Sequence, residues 1–496
     1  MRNKISILSL LFFLPVFLGA CGGSGHNSTP NEVPVAVSIS DQPSNLGVLS
    51  FDIQITGACL LTSSNAMATS CSGAQSLLPE PPMTVQLEKL QTPQQADVLA
   101  TTNVQAGTYT AVLITFGTAT AAVNVDPNST DKDSASPPHS CTAGGTPKIC
   151  ELSPMFTTSS LTLPFASAAT LFPGQPTDIA IEYSVADSLV GATAGRTTTF
   201  TITPILAVSI VAGTNSGGSL IDVNNVTGPV TGVATTSFTI TDDMTGQPVT
   251  VATFSGTTAF NGFTGCSTNN IACVQVGQIV SVNYAVSDST PLVLSAASVT
   301  DNDDFQNGQT LEGTVIATTP APMVVVTAVT AGNTQGVTIG QVLTLVPPAS
   351  TGFSVAVPPG QTLPASVSFA AAGDLVVGQD VLIDSTGVAD GVITADAITL
   401  EATQFNGIVS TLTSPNLTVN GLNNFFNDNG ISSVQVQTGA QTTFGGSVAT
   451  FNGLAVGDQA NFDGFLFNGG AGQTPVVFGE NIFDNASSPG AMKKPR

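Results

Sequence analysis

Apolar residues in this chain recur with a period of two. In Phe51-Asp52-Ile53-Gln54-Ile55-Thr56 the apolar side chains are Phe51, Ile53 and Ile55. Successive side chains of a strand point to opposite faces, so this pattern specifies a β-strand with one packed face. The same alternation holds in Val33 to Ser40, at Ile179, Ile181 and Tyr183, and in Ile279-Val280-Ser281-Val282. Tyr109 to Phe116 is a more continuous β run behind Gly107. Thr197 to Ile210 closes the N-terminal region with Phe200, Ile202, Ile205 and Val208. Asp52 and Glu182 fall at positions that point outward from such strands. Gly, Pro and Asn clusters punctuate the runs, as turns between short strands require. Many short strands without a helical period predict an all-β protein, and 496 residues allow several domains.

Charge narrows the partners. Nine Lys and Arg residues stand against 32 acidic ones, a formal net charge of −23. Nucleic acid needs a basic footprint and stacking aromatics, so it is not expected as a partner. Sugar-binding platforms favour Trp and Tyr, and the chain has no Trp and only Tyr109, Tyr183 and Tyr284.

The alternating runs define a β-sandwich at 33–211, with a polar insertion at Asp126 to Thr146 read as an exposed loop. Three weak repeats follow, at 224–300, 310–401 and 404–485, and residues 486–496 form a tail expected to be disordered. Gly228-Pro229-Val230, Gly313-Thr314-Val315 and Gly407-Ile408-Val409 open the units. Val276-Gly277-Gln278, Val377-Gly378-Gln379 and Val456-Gly457-Asp458 recur late in each. A glycine there suits a turn that needs positive φ. The second unit is stretched by a Pro- and Ala-rich insert near Pro347 to Ala365.

Two resemblances follow from these residues. Val37-Ser38-Ile39-Ser40-Asp41-Gln42-Pro43, the Phe51-to-Ile55 strand, Gln105-Ala106-Gly107-Thr108-Tyr109 and Asp178-Ile179-Ala180-Ile181 come in the order of a bacterial lipoprotein domain, domain of unknown function 4382. That resemblance implies a β-sandwich and brings no active site. Gln42 stands where that family has Ala. The repeats resemble domain of unknown function 5666, best in the first unit through Gly228, Ser237-Phe238-Thr239-Ile240, Phe260 and Gly277. It implies small OB-like β-barrels.

The N-terminus carries a third resemblance. Arg2 and Lys4 precede an apolar stretch from Ile5 to Phe17, the layout of a signal peptide at 1–20. Leu18-Gly19-Ala20-Cys21 resembles the bacterial lipoprotein box. It implies that Cys21 is acylated and becomes the first residue of the mature chain, tethered through a flexible 21–32 segment. Gly22, in place of the Asp that favours inner-membrane retention, implies the outer membrane. No later stretch has the length and continuity of a membrane helix, so the lipid is the only expected attachment.

Six cysteines remain, in the local pairs Cys59/Cys71, Cys141/Cys150 and Cys266/Cys273. An even remainder in an exported chain reads as disulfides. A metal site is the alternative, but no pair is C-x-x-C, and His26 and His139 are the only imidazoles. Asp301, Asp303 and Asp304 could offer oxygen ligands to calcium, although Phe305 breaks the loop spacing such sites use. Asp126, Asp131 and Asp133 are a similar, weaker group. No Gly-x-Ser-x-Gly occurs, and no cofactor is implied. The expectation is a non-enzymatic, lipid-anchored cell-envelope protein that holds its β modules away from the membrane, as a rod or a cluster, toward an envelope protein or polysaccharide. A carbohydrate-binding lipoprotein is the alternative, and a hydrolase with paired carboxylates a more distant one.

Overall fold

The computed structural model describes residues 31–484, apart from 42–46, 80, 88–95, 126–134, 137–147, 195–196, 244, 264–265, 267, 269, 302–308, 330–336, 358–361 and 471–472. Cys21 with its box, residues 21–30 of the tether, the 486–496 tail, Cys141, both histidines, Asp126, Asp131, Asp133, Asp303 and Asp304 lie outside the described residues. The protein is all-β. Among the described residues the α-helices are the short Val185–Ser188 and Asn424–Asp428. Among the described residues no helix is long and apolar enough to cross a membrane.

Two sheets form the N-terminal sandwich. One orders Leu206–Ala212, Thr177–Tyr183, Glu32–Asp41 and Asp97–Gln105. The other orders Ser160–Leu171, Gly107–Val125, Val48–Leu61 and Gln75–Ser76. Val33, Val35, Val37 and Ile39 from the first share one core with Phe51, Ile53, Ile55, Val112 and Ile114 from the second. Each such side chain contributes roughly 1.5–3 kcal/mol on leaving water. The run Thr197 to Ile210 is two strands rather than one. It breaks after Ile202, next to Pro204, which has no N–H for a ladder, and enters the first sheet at Leu206. Ile205, one of the apolar residues of that run, is exposed at the break. Part of the 126–146 insertion also joins a sheet, since Ala135–Ser136 pairs in parallel with Thr197–Ile202.

The rest of the chain makes three five-stranded barrels of one topology. In the third, Thr403–Thr413 pairs with Asn416–Asn420, and that strand with Ser433–Gly446. Ser433–Gly446 runs parallel to Val476–Asp484, and Gln459–Phe467 closes the ring back to the first strand. The other two barrels close the same way through the parallel pairings Ala252↔Ser295 and Thr344↔Val392. This is the order of an OB-type barrel, and closure removes the free sheet edges that invite aggregation. Gly228, Gly313 and Gly407 sit inside the first strands rather than at their starts. A Cβ at Gly228 would lie 1.8 Å from the Thr241 carbonyl oxygen, so only glycine fits where the strand coils tightly. The Pro- and Ala-rich insert of the second barrel contributes a strand, Gly352–Val355, parallel to Val392–Leu400. Ala259–Asn261 does the same in the first barrel.

The barrels pack back on the sandwich as a cluster. Ala36 and Val98 of the sandwich belong to the core of the first barrel, with Val223, Phe238 and Tyr284. Leu49, Ala122 and Ile149 share a core with Ile316 and Val325 of the second barrel and Phe405 and Phe426 of the third. Phe465, Phe467 and Phe478 of the third barrel complete the core of the second. The small residues that alternate with valine in the first strand are therefore a docking face. Asp52 is not an outward position either, being only 3% exposed. It pairs in register with Gln86, whose Nε2 donates to the Thr327 carbonyl of the second barrel at 2.8 Å.

Candidate functional site

One turn occurs four times among the described residues. Its copies are Gln275-Val276-Gly277-Gln278, Thr338-Ile339-Gly340-Gln341, Val376-Val377-Gly378-Gln379 and Ala455-Val456-Gly457-Asp458. In each, the N–H of the last residue donates to the carbonyl of the first at 3.1–3.2 Å. The glycines have φ of +98°, +86°, +93° and +100°, the third-position geometry of a type II turn, where a side chain would be strained. The last side chain folds back: its oxygen accepts the N–H of the first residue at 2.6, 3.1, 2.8 and 2.6 Å. Each glycine N–H then donates to a valine carbonyl in a neighbouring strand, at Val230, Val326, Val315 and Val409. That valine returns its own N–H to the last carbonyl of the turn. Four hydrogen bonds are thus fixed by a four-residue signature. The Thr338 copy escapes a Val-Gly search because isoleucine takes the second place. The wider pattern, β-branched residue then Gly then Gln or Asp, would have found it.

The four turns differ in what covers them. A Cβ at Gly378 would lie 2.3 Å from Phe426 Cε1 of the third barrel. Beside it, Gln379 Nε2 donates to the Leu466 carbonyl at 2.8 Å, and Val377 packs on the core that holds Phe405 and Phe426. Gly340 lies against Glu151, Ala121 and Ala122 of the sandwich, and Thr338 Oγ1 donates to Glu151 Oε1. Gly277 and Gly457 meet nothing within 4 Å. Their valines, Val276 and Val456, are 66% and 64% exposed. The second barrel thus uses both of its turns to seal seams, while the first and third display theirs.

Carboxyl groups line the same seams. Between Thr197 and Met492 the chain has no Lys, Arg or His, so the barrels offer these groups no cation. Burial, with Asp242 and Asp243 nearby, pushes the Asp97 carboxyl well above the carboxylate range. Burial pushes Asp52 up to about 8, although Thr120 donates to it, and Asp178 to about 7, although Ser38 donates to it. At the seam between the second and third barrels, burial raises Asp463 to about 6. The Asn481 amide opposes that rise and Asp380 adds to it. Asp288 behaves oppositely. Desolvation acts to raise it, but Thr214 and Ser216 donate to it from side chain and backbone and hold its carboxyl below the usual range. It ties the linker after the sandwich to the first barrel.

These carboxyls cannot reach a substrate where they stand, since Asp97 is 1% and Asp242 0% exposed. No group of three or more His, Cys, Asp or Glu among the described residues could hold a metal ion. Asp301 ends the strand Leu294–Asp301. All three tyrosines are buried, so none forms a flat exposed platform for a sugar. Disulfides join Cys59 to Cys71 and Cys266 to Cys273. Cys150 is buried at the start of the chain's return from the insertion. Compared with known proteins, the chain matches no family model and no curated protein, which leaves the resemblances to the two uncharacterised domains resting on the residues that carry them.

Proposed function

We propose that this chain is a non-enzymatic, lipid-anchored protein of the bacterial cell envelope, its acids buried away from any substrate, built to dock a protein partner through its two bare turns. One observation carries the reading: the turn that seals two seams inside the chain is displayed, uncovered, at Val276-Gly277 and Val456-Gly457. The covered copies define the partner surface, an aromatic ring edge such as Phe426 or an alanine-lined strand such as Ala121-Ala122. The box at Leu18 to Cys21 supports the lipid anchor, since acylation with more than one chain gives stable attachment. Clustered barrels would then offer the turns from a compact body on a short leash.

A photocrosslinking residue placed at Val276 or Val456 in intact cells tests the docking role. Discrete adducts to one protein are expected at both positions. Adducts no stronger than those from Met67, which is exposed but off the turns, would remove it. Cys21→Ser tests the anchor, with release from membranes or accumulation of the precursor as the expected result. A cleaved, lipid-labelled species in that variant would contradict it.

A further inference from the structure

The described chain enters its folded body at Asn31, and one end of the sandwich is built around that entry. Ala106 donates its N–H to the Asn31 carbonyl at 2.8 Å, and Gly174 donates to the Glu32 carbonyl at 3.0 Å. The pairings Glu32↔Gln105, Leu171↔Gly107 and Leu61↔Ala111 bring the ends of five strands to this level. Two connections project from it. Phe172-Pro173-Gly174-Gln175 is a turn closed by the Gln175 N–H on the Phe172 carbonyl at 3.1 Å, with Gly174 at φ +68°. Thr290 Oγ1 and Asn215 Nδ2 donate to the Gly174 carbonyl at 2.7 and 3.3 Å, so the first barrel and its linker hold the turn in place. The second connection leaves the sheet at Leu61 and returns at Gln75. The Cys59–Cys71 disulfide pins it, and Ala68, Cys71 and Ala74 pack on the sheet.

Both connections are fixed, yet each ends in a bare apolar side chain. Phe172 is 58% exposed, and Met67, at 93%, is the most exposed large apolar residue among the described ones. A single exposed apolar side chain is ordinary. Here two share the end at which the leash enters, on connections without charge. Thr62 to Ala74, Phe172 to Pro176 and Gly213 to Ser219 contain no Asp, Glu, Lys or Arg, in a chain with 32 acids. The acids beside them are the half-buried Glu32, the exposed Asp222 three positions beyond Ser219, and Asp288, which Thr214 and Ser216 hold. Cys21 is ten residues before Asn31, so the leash reaches at most about 35 Å.

We propose that this end of the sandwich rests on the bilayer that holds the Cys21 acyl chains, with Met67 and Phe172 dipped into its interface. The inference rests on the lipid anchor proposed above. Uncharged loops enter a lipid interface without the desolvation cost of a carboxylate, and apolar tips gain by leaving water. The contact also gives the body a direction. The strand Ile279–Ser287 runs from the bare Val276-Gly277 turn to the linker beside Gly174, so that turn is displayed about 26 Å from the membrane-facing end.

The chain has no Trp, so a single substitution installs the only indole. Phe172→Trp places it at the membrane-facing end. Phe254→Trp places it at the other end of the first barrel, where Phe254 is 49% exposed next to the hairpin turn at Thr236. The acylated full chain is reconstituted in phosphatidylcholine vesicles, with and without lipids brominated along the acyl chains. Brominated lipid should quench Phe172→Trp emission about threefold more than Phe254→Trp emission, and only the former should shift to shorter wavelength. Equal quenching at the two positions, or none at 172, in vesicles that carry the protein through flotation would overturn this proposal and leave the anchor standing. A chain that does not float with the vesicles would overturn the anchor and the proposal together. Met67→Trp carries the same expectation as Phe172→Trp and replaces it should that variant fail to fold.

Discussion

Gly378 and Gly457 occupy the same place in the same turn of successive barrels, yet one lies beneath Phe426 and the other touches nothing. Their backbones are nearly identical, with φ of +93° and +100° and matching hydrogen bonds. The turn is therefore set by its own four residues and its clip to a valine, and needs no neighbour to form. What differs is the use of its tip. In the second barrel the tip fills a seam. In the third the same knob stands free. The first barrel adds a further contrast, because the Cys266–Cys273 disulfide closes the loop that leads into its bare turn. The other two barrels have no cysteine there.

Removing the cover should have the largest effect. Phe426→Ala takes away a buried ring that packs on Phe405, Phe425 and the Gly378 turn, and should cost about 3–5 kcal/mol in urea unfolding. Breaking the disulfide should come next. Cys266→Ser with Cys273→Ser should cost roughly 2–3 kcal/mol for so short a loop, read as earlier exchange of the first barrel's amides while the third barrel's stay protected. pH should act more broadly. Asp52 at about 8 and Asp178 at about 7 lie above the unfolded value of about 4, so the native state binds extra protons between those limits. Stability should be greatest near the lower limit and fall as pH rises, giving a higher urea midpoint at pH 5 than at pH 8.5. Asp52→Asn should flatten that dependence. Val456→Asp should have the smallest effect, within about 0.5 kcal/mol by thermal melting, because the side chain is exposed.

Much of this architecture is visible in the residues. Phe51, Ile53 and Ile55 announce a strand and its core face, and the three Val-Gly turns announce three like units. The second faces of strands are harder to read. Ala36, Ser38 and Asp52 look like solvent positions because small and polar residues also suit water, but here they admit another domain at close range. Nothing in the sequence marks Asp97 and Asp242 as neighbours; they are 145 positions apart in the chain and meet only through the seam. The break after Ile202 depends on one proline inside an otherwise continuous β pattern. The docking of turns is illegible for a similar reason, since bare and covered copies share one local sequence.

The claim that one turn is used in two ways is tested most directly by measuring urea unfolding of Gly378→Ala and Gly457→Ala side by side. Both substitutions strain a left-handed backbone, at a cost of about 1–2 kcal/mol. Only the first also drives a methyl group into Phe426, which adds roughly 1–3 kcal/mol. The account predicts that Gly378→Ala unfolds at a clearly lower urea concentration than Gly457→Ala. Equal midpoints for the two variants would contradict it.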